Sequence, residues 1–115
     1  MIMFRCFIQQ NQITDDQLGA LETRLTNIAK ELFPESSEAV PIEWRTVTEG
    51  FGFTAGAPSH ASVVVTAIPD ETPQDTRVRF MESICDAWSQ ETGCSVNDVV
   101  ATALSFSLAI QAQAS

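Results

Sequence analysis

Few side chains in this 115-residue sequence could do chemistry, and none stands at a spacing that names a reaction. Arg77 and Arg79, near the start of a predicted second helix, could hold a carboxylate, because a guanidinium presents paired donors to paired oxygens. Asp75 and Glu82 lie near enough to Arg77 and Arg79 to pair with them at the surface instead. His60 is the only histidine; it could serve as a base, but no carboxylate or nucleophile stands at a telling distance, so a solvated loop histidine is the plainer reading. Cys85 falls in an apolar helical stripe and reads as core. Cys94 follows a helix C-terminus, whose negative pole raises a thiol pKa and argues against an activated nucleophile.

Gly50-Phe-Gly52-Phe-Thr-Ala-Gly56 superficially resembles a phosphate-binding glycine pattern. Its last spacing is wrong for a dinucleotide motif and no helix opens from it. Phe51 and Phe53 could line a ligand; a turn whose aromatics pack on a neighbouring subunit is the stronger alternative. The three cysteines have no zinc spacing, and their odd number suggests reduced thiols in a cytoplasmic compartment. Neither a metal nor a cofactor is expected.

Composition narrows the partners. A net charge of −9, with six basic residues scattered along the chain, argues against nucleic acid and anionic membrane surfaces. No apolar run reaches the roughly twenty residues of a membrane span, and Arg5 interrupts the only apolar stretch near the start. The expectation is a single soluble domain.

The elements that must position these residues are well marked. Ala61 to Ile68 is β-branched, uncharged and closed by Pro69, as in a strand covered on both faces. Met1 to Ile8 reads as an opening strand, with Ile2, Phe4, Cys6 and Ile8 on one face. Thr14 to Gln17 forms a capping box, and Leu18, Leu21, Leu25, Ile28, Ala29 and Leu32 make a helical stripe that ends at Pro34. Val40 to Val47 predicts a second strand, and Thr48 to His60 a loop or irregular hairpin. After the central strand, Thr72 is expected to cap a second helix with Pro73 at its first position. Val78, Met81, Ile84, Cys85 and Trp88 form that helix's predicted stripe, Gly93 its stop, and Val99 to Phe106 the last strand.

Strand-helix-strand is thus written twice, with an offset of roughly sixty residues that matches Leu21 to Met81, Leu25 to Cys85 and Ile28 to Trp88. Each unit is a right-handed βαβ with parallel strands. The expected fold is α+β, a four-stranded mixed sheet with both helices on one face. Repeat one spans 1–48, a connecting loop 49–60, repeat two 61–107 and a tail 108–115. The bare sheet face must find cover, so self-association is expected.

With these residues in place, the chain resembles the tautomerase superfamily, which includes 4-oxalocrotonate tautomerase and the macrophage migration inhibitory factor group. It looks most like fused-repeat members such as cis-3-chloroacrylic acid dehalogenase and malonate semialdehyde decarboxylase. The resemblance covers nearly the whole chain. It is carried by the opening strand running into Gln9-Gln-Asn-Gln-Ile-Thr14, by Ile42-Glu-Trp-Arg through Gly56, and by Arg79 to Val100 with its Thr-Gly-Cys-Ser-Val-Asn-Asp-Val turn. It implies a homotrimer with helices outside and a pocket at the start of the first strand near subunit boundaries. There an amino-terminal proline moves protons on small keto acids, and arginines orient the substrate carboxylate.

This sequence departs from that pattern twice. Ile2 stands where the proline would be, and its bulk disfavours removal of Met1. Gln12 stands where dehalogenase-like members carry a first-loop arginine. The resulting expectation is a trimeric protein with absent or weak keto-enol tautomerase activity that binds a small carboxylate or carbonyl compound. The alternative is an isomerase or lyase using the Met1 amine, whose pKa would be about 8, with Arg5, Arg45 or Arg77 on the carboxylate. A ferredoxin-like dimeric barrel is the rival fold.

Overall fold

The computed structural model describes residues 2–36, 40–54 and 56–108. Strand β1 (Met3–Gln9) leads to helix α1 (Asp15–Leu32) and strand β2 (Ile42–Val47). A small hairpin, β3 (Phe53–Thr54) and β4 (Ala57–Pro58), precedes β5 (Ser62–Ile68), α2 (Gln74–Thr92) and β6 (Val99–Ser105). The main sheet runs β2-β1-β5-β6. β1 pairs in parallel with β2, β5 in parallel with β6, and β1 lies antiparallel to β5 at the centre. The two strands of each unit are therefore direct neighbours. A ferredoxin-like barrel splits them, so that rival is excluded.

Alternation along β1 sets the layering. Ile2, Phe4, Cys6 and Ile8 are all buried, as are Ser62, Val64, Thr66 and Ile68 of the central partner strand. Of these, Ile2, Phe4, Cys6, Ile8, Val64 and Ile68 join Leu21, Leu25, Phe80, Ile84 and Trp88 in one core beneath the helices. Phe80 anchors it, meeting Phe4 at a ring-centroid distance of 5.7 Å and Phe33 edge-on at 5.2 Å. Trp44 of β2 packs on Trp88 at 5.8 Å and donates its indole N–H to Glu22 at 2.7 Å. Arg24 and Glu91 tie α1 to α2 at 3.1 Å. The other face of the sheet carries half-buried Met3, Phe7, Val63, Val65 and Leu104 and the more exposed Val100. Both helices leave it bare.

The α1 start follows the sequence closely. Thr14 caps it, and the capping box with Gln17 is complete in both directions. Helix α2 departs from expectation at two points. Pro73, not Thr72, is its N-cap; the Thr72 hydroxyl instead donates to the Pro69 carbonyl at 2.7 Å. Its buried stripe is Phe80, Ile84, Ala87 and Trp88, while Met81 and Cys85 are only partly buried and Val78 is 36% exposed. The match to Leu21, Leu25 and Ala29 thus runs through Phe80, Ile84 and Trp88, one residue out of step with the strands. The cause lies in the connection: one residue fewer separates Ile68 from Phe80 than Ile8 from Leu21. In the longer connection Asn11 takes a left-handed conformation, φ 67°, which asparagine accepts more readily than most residues. Gly93 ends α2 at φ 73°, as its position predicts. Apart from Leu108, the tail lies outside the described residues.

Candidate functional site

The start of β1 is where the site expectations converge. Met1 lies outside the described residues, and Ile2 beside it is 1% exposed, its side chain given wholly to the core. On the bare face next to it a shallow cavity of about 280 Å³ is lined by Met3, Arg5, Pro41, Ile42, Glu43 and Ala67. The parallel register sets Arg5 directly opposite Glu43, and Arg5 Nε donates to Glu43 Oε2 at 2.9 Å. Arg45, two residues along β2 and so on the same face, pairs with the other oxygen, Oε1. The Arg5 hydrogen bond, helped by Arg45, holds the Glu43 carboxyl below the usual glutamate range. Two guanidiniums share one carboxylate, so this patch is net positive within a strongly acidic protein.

Arg77 sits elsewhere. From the first turn of α2 its guanidinium donates to the Ala103 carbonyl and, at 3.4 Å, to the Ser105 hydroxyl, tying α2 to β6. Phe51 and Phe53 are 80% and 66% exposed at the small hairpin. That segment turns at Gly50 (φ 85°) and Gly56 (φ 80°) and does not open a helix. Gly52 lies against the Gln9 side-chain amide, where an added Cβ would come within 3.1 Å of it.

Gln12 lies past the far end of β1 from Ile2. A seven-residue strand puts the two roughly 20 Å apart, so within one chain they cannot share a site. Gln12 instead lines a second cavity, with His60, Ser62, Thr92, Cys94 and Asp98 among its walls. Sequence reasoning missed Glu43, Ser62 and Asp98. Only the strand register and the loop packing bring them to these places, and neither is encoded locally.

Burial, with a smaller effect of Glu22, pushes the Cys6 thiol up to about 12, so it is no nucleophile. Burial raises Cys85 as well. All three cysteines are free. Among the described residues no group of three potential metal-ligating side chains stands together, and no helix is long and apolar enough to cross a membrane.

No protein-family model matches the sequence, and no curated protein matches it. The architecture, however, is well represented among solved structures. The crystal structure of native Ps01740 superposes with a TM-score of 0.85 at 22% identity, covering 90% of this chain and 92% of that one. A fused 4-OT, described as a wild-type symmetric trimer, gives 0.82 at 14% identity over 90% and 84%. N1, a member of the cis-3-chloroacrylic acid dehalogenase family, gives 0.82 at 13% identity over 90% and 73%. This is the tautomerase-superfamily fold. The sequence resemblance and the sheet topology thus agree, and the two βαβ units of this tautomerase-fold chain each contribute a parallel strand pair and a helix.

Proposed function

We propose that this chain is a tautomerase-fold protein without the proton-moving proline, binding a small carboxylate or carbonyl compound beside Arg5 and Arg45, with absent or weak keto-enol tautomerase activity. The observation that carries the reading is Ile2. Its side chain, just ahead of β1, is 1% exposed in the core and has no basic atom, and with Met1 kept its nitrogen is an amide that cannot take a proton. The Arg5–Glu43–Arg45 cluster supports the ligand class, since an incoming carboxylate can share or displace Glu43 on the guanidiniums. In this reading the chain is a homotrimer. The bare sheet face with Met3, Phe7 and Val65 supports that, as do similar structures described as trimers. The exposed Phe51 and Phe53 then contact a neighbouring copy. The three free thiols fit a reducing, cytoplasmic setting.

The test is twofold. Ketonisation of phenylpyruvate enol and of 2-hydroxymuconate is expected to run at the buffer rate, while pyruvate titrated into labelled protein shifts the amides of Arg5 and Glu43. A turnover well above buffer overturns the first half; shifts confined to other regions overturn the second.

A second reading is favoured by one observation: Arg5 and Glu43 pair in the half of β1 that begins next to Ile2. There the Met1 amine acts as base in an isomerase or lyase, and selective N-terminal acetylation is expected to abolish the rate. Intact mass decides whether Met1 is present to do so.

A further inference from the structure

We propose that the cavity at the opposite end of the sheet, where β5 begins and α2 ends, is a second binding site that takes a small organic ammonium ion. This does not rest on the reading of the Arg5 site. The cavity measures about 290 Å³, at the small end of the range for ligand pockets, and Gln12, His60, Ser62, Thr92, Cys94 and Asp98 supply its polar walls.

The internal repeat shows what is unusual here. Ser62 opens the buried series of β5 as Ile2 opens that of β1, so a hydroxyl stands where the first unit has an aliphatic side chain. Ser62 is 4% exposed, but among the described residues no buried side-chain oxygen lacks a hydrogen bond, so its hydroxyl, which makes none with those residues, is open to the cavity that it lines. Its neighbours are fixed. The Thr92 hydroxyl donates to the Trp88 carbonyl and accepts from the Cys94 N–H, and the Ser89 hydroxyl donates to the Cys94 carbonyl. The α2 end of the cavity is therefore a built wall, with Gly93 in its left-handed cap.

Electrostatics select the ligand. No arginine or lysine lines the cavity, and the half-buried Asp98 forms no ion pair among the described residues. The negative pole of α2 points the same way, and its last turn holds no basic residue to offset it. A carboxylate ligand is repelled. An ammonium group brings three donors, for which Asp98, the Ser62 hydroxyl and the Gln12 amide oxygen are acceptors. The other titratable groups on the lining are His60 and Cys94.

The test uses the full chain, isotope-labelled, with three probes of nearly equal size: benzylammonium, benzyl alcohol and benzoate. Benzylammonium is expected to shift the amides of Ser62, Gly93, Cys94 and Asp98, and to bind about tenfold or more tighter than either other probe. Asp98→Asn is expected to remove that advantage. Equal binding of all three probes, no perturbation at this end, or an undiminished preference in Asp98→Asn overturns the proposal. Should the variant unfold, the comparison of probes on the native chain remains decisive. Pyruvate shifts at Arg5 are read separately in the same spectra, so the two sites succeed or fail independently.

Discussion

Arg5 and Glu43 face each other across the parallel β1–β2 pair, joined by a 2.9 Å hydrogen bond from Nε to Oε2. Glu43 therefore occupies the guanidinium that a ligand carboxylate would need. Removing its charge in Glu43→Gln is expected to tighten pyruvate binding several-fold, since a charged competitor becomes neutral. Calorimetry or amide titration measures this, and weaker binding would contradict it.

The same pair sets a pH dependence. The folded-state pKa of Glu43 is lowered, chiefly by Arg5, so the stability it contributes is complete above the ordinary glutamate value of about 4.3. That contribution is lost as pH falls through the depressed folded value. A side-chain NMR titration is expected to place the Glu43 midpoint below the ordinary value in the wild type, and back toward it in Arg5→Ala.

Ile2 is a core residue, not a catalytic one, in the proposed reading. Ile2→Ala is expected to cost about 2–5 kcal/mol, the usual range for emptying a packed aliphatic position, and to lower Tm accordingly. Arg77→Ala makes a useful contrast. It deletes the link from α2 to β6 and is expected to destabilise by about 1–3 kcal/mol while leaving pyruvate affinity unchanged. A loss of affinity in that variant would move the carboxylate site to α2.

Cys6 supplies a prediction at the alkaline end. Its folded pKa is raised to about 12, mainly by burial, so the fold is fully favoured below the unfolded thiol value of about 8.5 and loses stability as pH climbs toward 12. Iodoacetamide at pH 8 is expected to spare Cys6 until the chain unfolds. Cys6→Ala is expected to flatten the alkaline arm of the stability profile.

Val65 lies in the central strand of the uncovered sheet face, two residues from Val63 and in register with Arg5. Val65→Asp is expected to reduce the solution mass from about three chains to one, with helical circular dichroism kept. An unchanged mass, or a wild type that is already a single chain, would remove the trimer from the proposal.

The fold could be read from the sequence wherever the signal was local. Thr14 and Gln17 cap α1 through their own side chains, Gly93 ends α2 through its own backbone freedom, and the apolar alternation from Ile2 to Ile8 fixes which face of β1 is buried. The slip from Met81 to Phe80 was not legible, because helical and strand periods run independently and a one-residue difference in a loop rephases one against the other. Thr72 misled for a related reason. Its hydroxyl can reach the Pro69 carbonyl as readily as a helix N–H, and composition does not rank those two bonds. The candidate site was half visible: Arg5 and Arg45 stood out as cations. Glu43, which holds both, became a partner only through the cross-strand register, and Gln12 proved to belong to the other end of β1.

The order β2-β1-β5-β6 leaves the two outer strands with unequal protection. β2 carries Glu43 and Arg45, and charges on a rim discourage a foreign strand from docking. β6, Val-Val-Ala-Thr-Ala-Leu-Ser, has no charge along its seven residues and ends without a proline. A dissociated or partly unfolded chain would therefore be sticky on one side only, and a single lysine at the exposed Val100 should be enough to slow its aggregation.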